Sequence, residues 1–330
     1  WYSYESSETN KGMWANAVTV TNASRSKYLN ANIGTSINMN DITTMWVWIP
    51  RFNAVTPSNY NGGTQEAPGA IDVTFVKENE TAIDAFTFGN KELSGFWYGK
   101  FEISHTTLAS STTNNNLGCT TKACSNANGI IIKPNVTSLR YNNISNFFYA
   151  SRSMEQTENS FGFVSSEVDT HMSKNNERGV VSYLTHSIYG RCNNSTNCVN
   201  VSRSSNEVYN TTSGKDTSTT GTIYGVYNMN DGKKEYVMGV LADNIGDSGF
   251  SSLPDSKYYN LYTGSSYTGH ALTETQDWYG SFAFFADKSQ PCFYRGGGYN
   301  MSLSAIIFNF IGSPGGGDKN LSSRFVIINE

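Results

Sequence analysis

The sequence predicts an α+β domain, and three observations carry that expectation. Short aromatic and β-branched runs recur along the 330 residues, separated by turns rich in Gly, Asn, Ser and Thr. Only two stretches carry the apolar period of a helix. No internal repeat is present, and no linker is clear enough to split the chain. The regular apolar clusters also argue against disorder, despite the polar composition. Residues 1–41 read as an N-terminal strand-and-linker segment that follows a removed anchor, and 42–330 as a single domain.

Taken in order, Trp14-Ala15-Asn16-Ala17-Val18-Thr19-Val20 reads as a short strand, and the stretch from there to Asn40 is polar. Met45-Trp46-Val47-Trp48-Ile49 is a dense apolar strand stopped by Pro50. Residues 62–69 read as a loop, and Ile71–Val76 and Gly95–Ile103 as further strands. A polar insertion from Ser104 to Gly129 precedes Lys133-Pro134-Asn135, which opens the next segment. Ser145–Met154, with Phe147, Phe148 and Tyr149, is one helix candidate. The clearer one is Ser173–Ile188, where Val180, Val181, Leu184 and Ile188 share a face. Asp169 or Ser173 would cap it and Gly190 would end it, leaving His186 on the helix surface. A loop-rich region from Asp243 to Gly269 follows, and Trp278–Phe285 leads into the last segment.

Composition excludes some functions. With 23 basic and 27 acidic residues the net charge is −4, so there is no electrostatic footprint for nucleic acid or an anionic membrane. No stretch is long and apolar enough to span a bilayer. Trp1 is not an initiator residue, so the chain reads as a processed or truncated product. Cys119 and Cys124 bracket one short polar loop, and Cys192 and Cys198 another. Two such pairs read as disulfide staples. The alternative is a four-cysteine zinc site, but neither pair has the usual two-residue spacing and the loops carry no nearby His. Disulfides imply an extracellular or cell-surface setting, or alternatively a virion surface. Cys292 is left over as a small buried residue. The Asn-x-Ser/Thr triplets at Asn135, Asn143, Asn200, Asn210 and Asn300 matter only if the source glycosylates.

Signs of catalysis are sparse. His105, His171, His186 and His270 lie far apart with no metal-pair spacing, and there is no nucleophile elbow or phosphate loop. Lys133-Pro134-Asn135 and Gln290-Pro291-Cys292 do not supply the acid and amide set of a calcium-dependent sugar site. No catalytic residue, metal or cofactor is expected.

The last forty residues contain Arg295-Gly296-Gly297-Gly298-Tyr299 and, further on, Ser322-Ser323-Arg324-Phe325-Val326-Ile327-Ile328. Upstream, Tyr227-Asn228-Met229, Gly232 and Glu235-Tyr236 form a third motif. Gly and Asn there suit tight turns, Met229 and Tyr236 suit the core, and Glu235 reads as a buried hydrogen-bonding partner rather than a base. Together these segments, with Gly95-Phe96-Trp97 and Gly99-Lys100-Phe101-Glu102, resemble the formylglycine-generating-enzyme superfamily over roughly Ile42 to Ile328. The resemblance implies a C-type-lectin-like fold: a small, twisted, irregular antiparallel sheet, two helices and long loops. Enzymes of that superfamily carry a cysteine pair after the Gly-Gly, where Met301 and Ile306 stand here, so the resemblance implies binding without catalysis.

Between Gly297 and Ser322, apparently structural positions (Tyr299, Phe308, Phe310, Gly315) alternate with unrelated residue types. That layout resembles the variable proteins diversified by retroelements. It implies a ligand face over Gly298–Asn320 made by Gly298, Tyr299, Asn300, Met301, Leu303, Ser304, Asn309, Ile311 and Ser313, with aromatic help from Trp278 and Tyr279. Trp14–Val18 is similar to a segment adjoining the pilin-like helix of some bacterial relatives. The expected partner is a protein or glycan on a host or neighbouring cell. A structural subunit of a pilus-like filament or virion is the alternative, and a sulfatase-modifying oxidase the third.

Overall fold

The computed structural model describes residues 4, 11–107, 116–202, 208–299, 301 and 305–329. In chain order its helices and principal strands are β1 (Asn16–Val20), α1 (Asn22–Leu29), β2 (Ile42–Pro50), β3 (Gly95–Gly99), α2 (Ile144–Ser153), β4 (Val168–Met172), α3 (Asn175–Thr185), α4 (Thr212–Lys215), β5 (Lys234–Leu241), β6 (Asn260–Tyr262), β7 (Ala283–Phe284), β8 (Cys292–Arg295), β9 (Phe310–Ser313), β10 (Leu321–Ser323) and β11 (Phe325–Asn329). Three two-stranded ribbons decorate them: Phe52–Ala54 with Val73–Phe75, Thr87–Phe88 with Lys91–Glu92, and Ser104–His105 with Ile130–Ile131.

The strands form two sheets rather than one. The first runs β1-β2-β3-β11-β4 and is antiparallel at every pairing. Its dense aromatic strands are buried on both faces, which explains why β2 and β3 read as nearly continuous apolar runs. The second runs β6-β5-β8-β9-β7 with β10 also paired to β5, and it is mixed. There β5 pairs in parallel with both β6 and β10, and β7 in parallel with β9. This corrects the expectation of a single antiparallel sheet. Each parallel neighbour is a strand of two or three residues reached by a long loop, which leaves no local hairpin signal in the sequence.

α2 packs on β4 and α3 on β5. The main core gathers Trp14, Trp46, Phe96, Tyr98, Phe147, Leu184 and Phe325, and a smaller cluster joins Val237, Tyr262, Leu272, Phe293 and Phe310. Both expected helices are present, with α1 and α4 in addition. α1 falls in the stretch read only as polar, because a single residue, Ser24, is buried and no apolar stripe marks it. α3 is capped at Lys174, the residue after the expected cap Ser173, where Glu177 reaches back to accept from the Lys174 N–H at 2.7 Å. It ends before Ile188, with His186 at its C-cap. No helix among the described residues is long and apolar enough to cross a membrane.

A close approach fixes one residue of α3. A Cβ at Gly179 would stand 2.4 Å from the His270 carbonyl oxygen. Gly179→Ala gains about 1 kcal/mol of helix propensity, yet the collision with backbone is expected to cost about 1–3 kcal/mol and win. Urea denaturation would decide it: a raised midpoint would show that the helix can move away.

Candidate binding site

The motif arginines build a frame. Arg324 is fully buried; its Nε donates to Glu235 Oε1, Nη1 to the Gly99 carbonyl at 3.0 Å and Nη2 to the Tyr227 carbonyl. Arg178, also fully buried, donates from Nε to Glu235 Oε2 and from Nη2 to the Met229 carbonyl, each at 3.0 Å. Glu235 therefore bridges two guanidiniums, in keeping with its reading as a hydrogen-bonding partner. Arg295 donates to the carbonyls of Asn309, His270 and Ala271 and to Asn175 Oδ1. A guanidinium fork can collect several carbonyls that irregular backbone cannot pair with N–H groups. The turn residues Asn228 and Gly232 have φ of +61° and +75°, the left-handed conformation expected of them.

The expected ligand residues divide around this frame. Tyr299 is 55% exposed, and Met301 and Ile311 are half-buried. Gly298, Trp278, Asn309 and Ser313 are buried, and so is Ile306. Asn309 Oδ1 accepts from the Phe282 N–H at 2.8 Å while its carbonyl accepts from Arg295 and Gly296, so it braces the turn. Trp278 packs edge-on against His186 and Phe308. These residues support the face from beneath instead of forming it. Asn300, Leu303 and Ser304 lie outside the described residues.

What the second sheet presents outward was not anticipated. Pairing puts Phe284 opposite Ile311 and Ile311 opposite Tyr294, a cross-strand row over β7, β9 and β8. Phe284 is 59% exposed and packs on the exposed Phe282. Lys234 Nζ lies 5.0 Å from the Tyr294 ring centroid. Beside this row a hollow of about 400 Å³ is lined by Lys234, Tyr294, Ser313, Pro314, Gly316 and Asp318. A second hollow, of about 390 Å³, has Tyr299 on its lining with Phe101, Glu102, Tyr209, Tyr227 and Asp231. Burial pushes the Glu102 carboxyl up to about 8, against the pull of nearby Arg324. A carboxyl with a raised folded pKa stabilises fully below its unfolded value of 4.5, and loses that contribution as pH rises through about 8. Glu102→Gln is expected to flatten that part of the profile, read from thermal midpoints between pH 5 and 9. An unchanged slope would refute the assignment.

The four histidines are all buried and hydrogen-bonded. His186 is 3% exposed, which corrects its placement on a helix surface. At the C-cap it turns inward between Trp278, Tyr279 and Phe308, and burial lowers it to about 4. It also lies near Cys192 and Cys198, their donor atoms all within 4.8 Å, although the sequence showed no such His. Those sulfurs are bonded to each other, as are those of Cys119 and Cys124, so neither pair is a thiolate ligand set here. Cys292 is buried, and burial raises its thiol to about 12. His171 bridges Asp169 and Glu177 at 2.9 Å each, a cluster sealed from solvent. Burial opposes its protonation, but the two carboxylates outweigh that and raise it. Only the Asp-x-His alternation along β4 hinted at this group.

Fold and site define an α+β structure with an arginine-braced C-terminal surface flanked by two open hollows. No family model matches the chain, and no curated protein matches it. Among solved structures it is similar to Treponema denticola variable protein 1, with a TM-score of 0.36 and 9% identity, over 90% of this chain and 99% of that one. A likeness so loose carries no weight for fold or function.

Proposed function

We propose that this protein is a non-enzymatic recognition module, displayed outside the cell on a C-type-lectin-like domain, whose C-terminal face binds a protein or glycan partner. The supporting observation is the row of exposed Phe284 and half-buried Ile311 and Tyr294 beside the 400 Å³ hollow, mounted on β-strands whose turns are tied by buried arginines. Such a frame can carry exchangeable side chains at low ordering cost. If the segment is diversified, the changes belong at Tyr299, Met301, Ile311, Pro314, Gly316, Asp318, Lys319 and Asn320, together with Asn300, Leu303 and Ser304, and not at Asn309, Ser313 or Gly315. The test is to screen the labelled chain against glycans and intact cells, beside Tyr294→Ala and Ile311→Asp variants. Binding lost in both variants, with unchanged melting, supports the reading. Binding retained in both, or none by the parent, sinks it.

The filament alternative has one observation in its favour. Leu29, Ile33 and Ile37 are 77%, 107% and 40% exposed within nine residues. A subunit using them would self-associate in sedimentation, and Ile33→Ser would abolish it.

A further inference from the structure

We propose that the hollow above Glu102 is a binding site for a small organic cation, specifically an alkylammonium group. Its volume of about 390 Å³ suits a small ligand. Four aromatic rings line it: Phe101 and Tyr227 stack at 5.0 Å, Tyr209 meets each edge-on at 6.0 Å, and Tyr299 stands at the rim. Two acids, Glu102 and Asp231, lie in the same lining at 3% and 5% exposure. A Cβ at Gly232 would stand 2.2 Å from Glu102 Oε1, so glycine there leaves room for the carboxyl.

The charge arrangement is what selects a cation. Glu102 accepts from the Ser138 hydroxyl and, at 2.7 Å, from the Lys233 N–H, and among the described residues it forms no ion pair. The neighbouring ammonium groups are turned to other partners. Lys133 Nζ donates to the carbonyls of Met39 and Ile42 at 3.3 and 3.2 Å. Lys100 Nζ donates to Asn16 Oδ1 and the Ile223 carbonyl, and Lys233 Nζ sits 3.9 Å from the Tyr299 ring centroid. An incoming ammonium would make a charge-assisted hydrogen bond to the deprotonated Glu102 and cation–π contact with the rings. An anion would meet two acidic side chains, and an uncharged ligand would gain no charge-assisted bond to either. Burial holds the Glu102 carboxyl protonated up to about 8, so a bound ammonium would take the place of that proton, which leaves to solvent.

The site shares only Tyr299 with the proposed recognition face, so Tyr294→Ala and Ile311→Asp should leave it intact. The probe is n-butylammonium titrated into the full chain and followed by calorimetry, with n-butanol as the uncharged control. Saturable binding of the ammonium alone is expected, at least about tenfold weaker in Glu102→Gln. Tyr209→Leu, which keeps the acids and removes one ring, should weaken it severalfold and stands in if Glu102→Gln fails to fold. Equal binding to the variants, butanol bound as tightly as the ammonium, or no saturable binding to the parent would each overturn the assignment.

Discussion

Arg324→Ala is expected to cost about 3–5 kcal/mol, enough to leave little folded protein. Arg324 is one of two guanidiniums on Glu235, so its loss leaves that buried carboxylate half-compensated. It also strands the carbonyls of Gly99 and Tyr227, which come from distant parts of the chain. Each orphaned buried acceptor adds about 1–3 kcal/mol on its own. Arg324→Lys should rescue little, because one ammonium cannot reach three acceptors in the same plane. Soluble yield and guanidinium denaturation would measure both variants. A loss below about 1 kcal/mol for the alanine variant would mean that water or Arg178 takes over, and that the frame is less rigid than its geometry implies.

Trp278→Ala is expected to cost about 3–5 kcal/mol through the cavity it leaves. The same change should alter a titration. His186 holds a pKa near 4 because burial penalises its charged form. The unfolded chain therefore takes up a proton between about pH 6.5 and 4 that the folded chain refuses, and stability falls as pH drops through that window. Removing the indole opens the imidazole to water, so its folded pKa should climb and the acid-side loss should shrink. Imidazole proton resonances followed by NMR from pH 3 to 8 would show this. A His186 value still near 4 in the variant would mean the cavity stays dry.

The elements legible in the sequence are those whose side chains meet water on one side or none. α2 and α3 announced themselves through a buried stripe, and β2 and β3 through unbroken aromatic runs. Glu235 was legible because a carboxylate among Met, Tyr and Gly has little choice but to be paired. α1 was not, having almost nothing buried. Three-dimensional juxtapositions were also invisible. Glu102 reaches its cavity beside Tyr209 and Asp231 only because loops far apart in sequence meet there. Within the expected Gly298–Asn320 face, Gly298, Asn309 and Ser313 are buried for a related reason: alternation along a strand does not say which of its two sides is wet. β9 shows it, since half-buried Ile311 and the buried Ser313 share one side, yet the Ser313 hydroxyl is close to Tyr236 Oη at 3.1 Å.

The place of β11 has a consequence for synthesis. It sits inside the first sheet, between β3 and β4, and the Arg324 side chain just before it joins a residue 225 positions earlier. A nascent chain that has made everything up to β10 still has β3 with one edge open and Glu235 without its second guanidinium. Contacts of such long range form slowly. The sheet closes only when the ribosome has delivered the last strand described, so an interrupted polypeptide carries its aromatic edge uncovered and is open to wrong pairing.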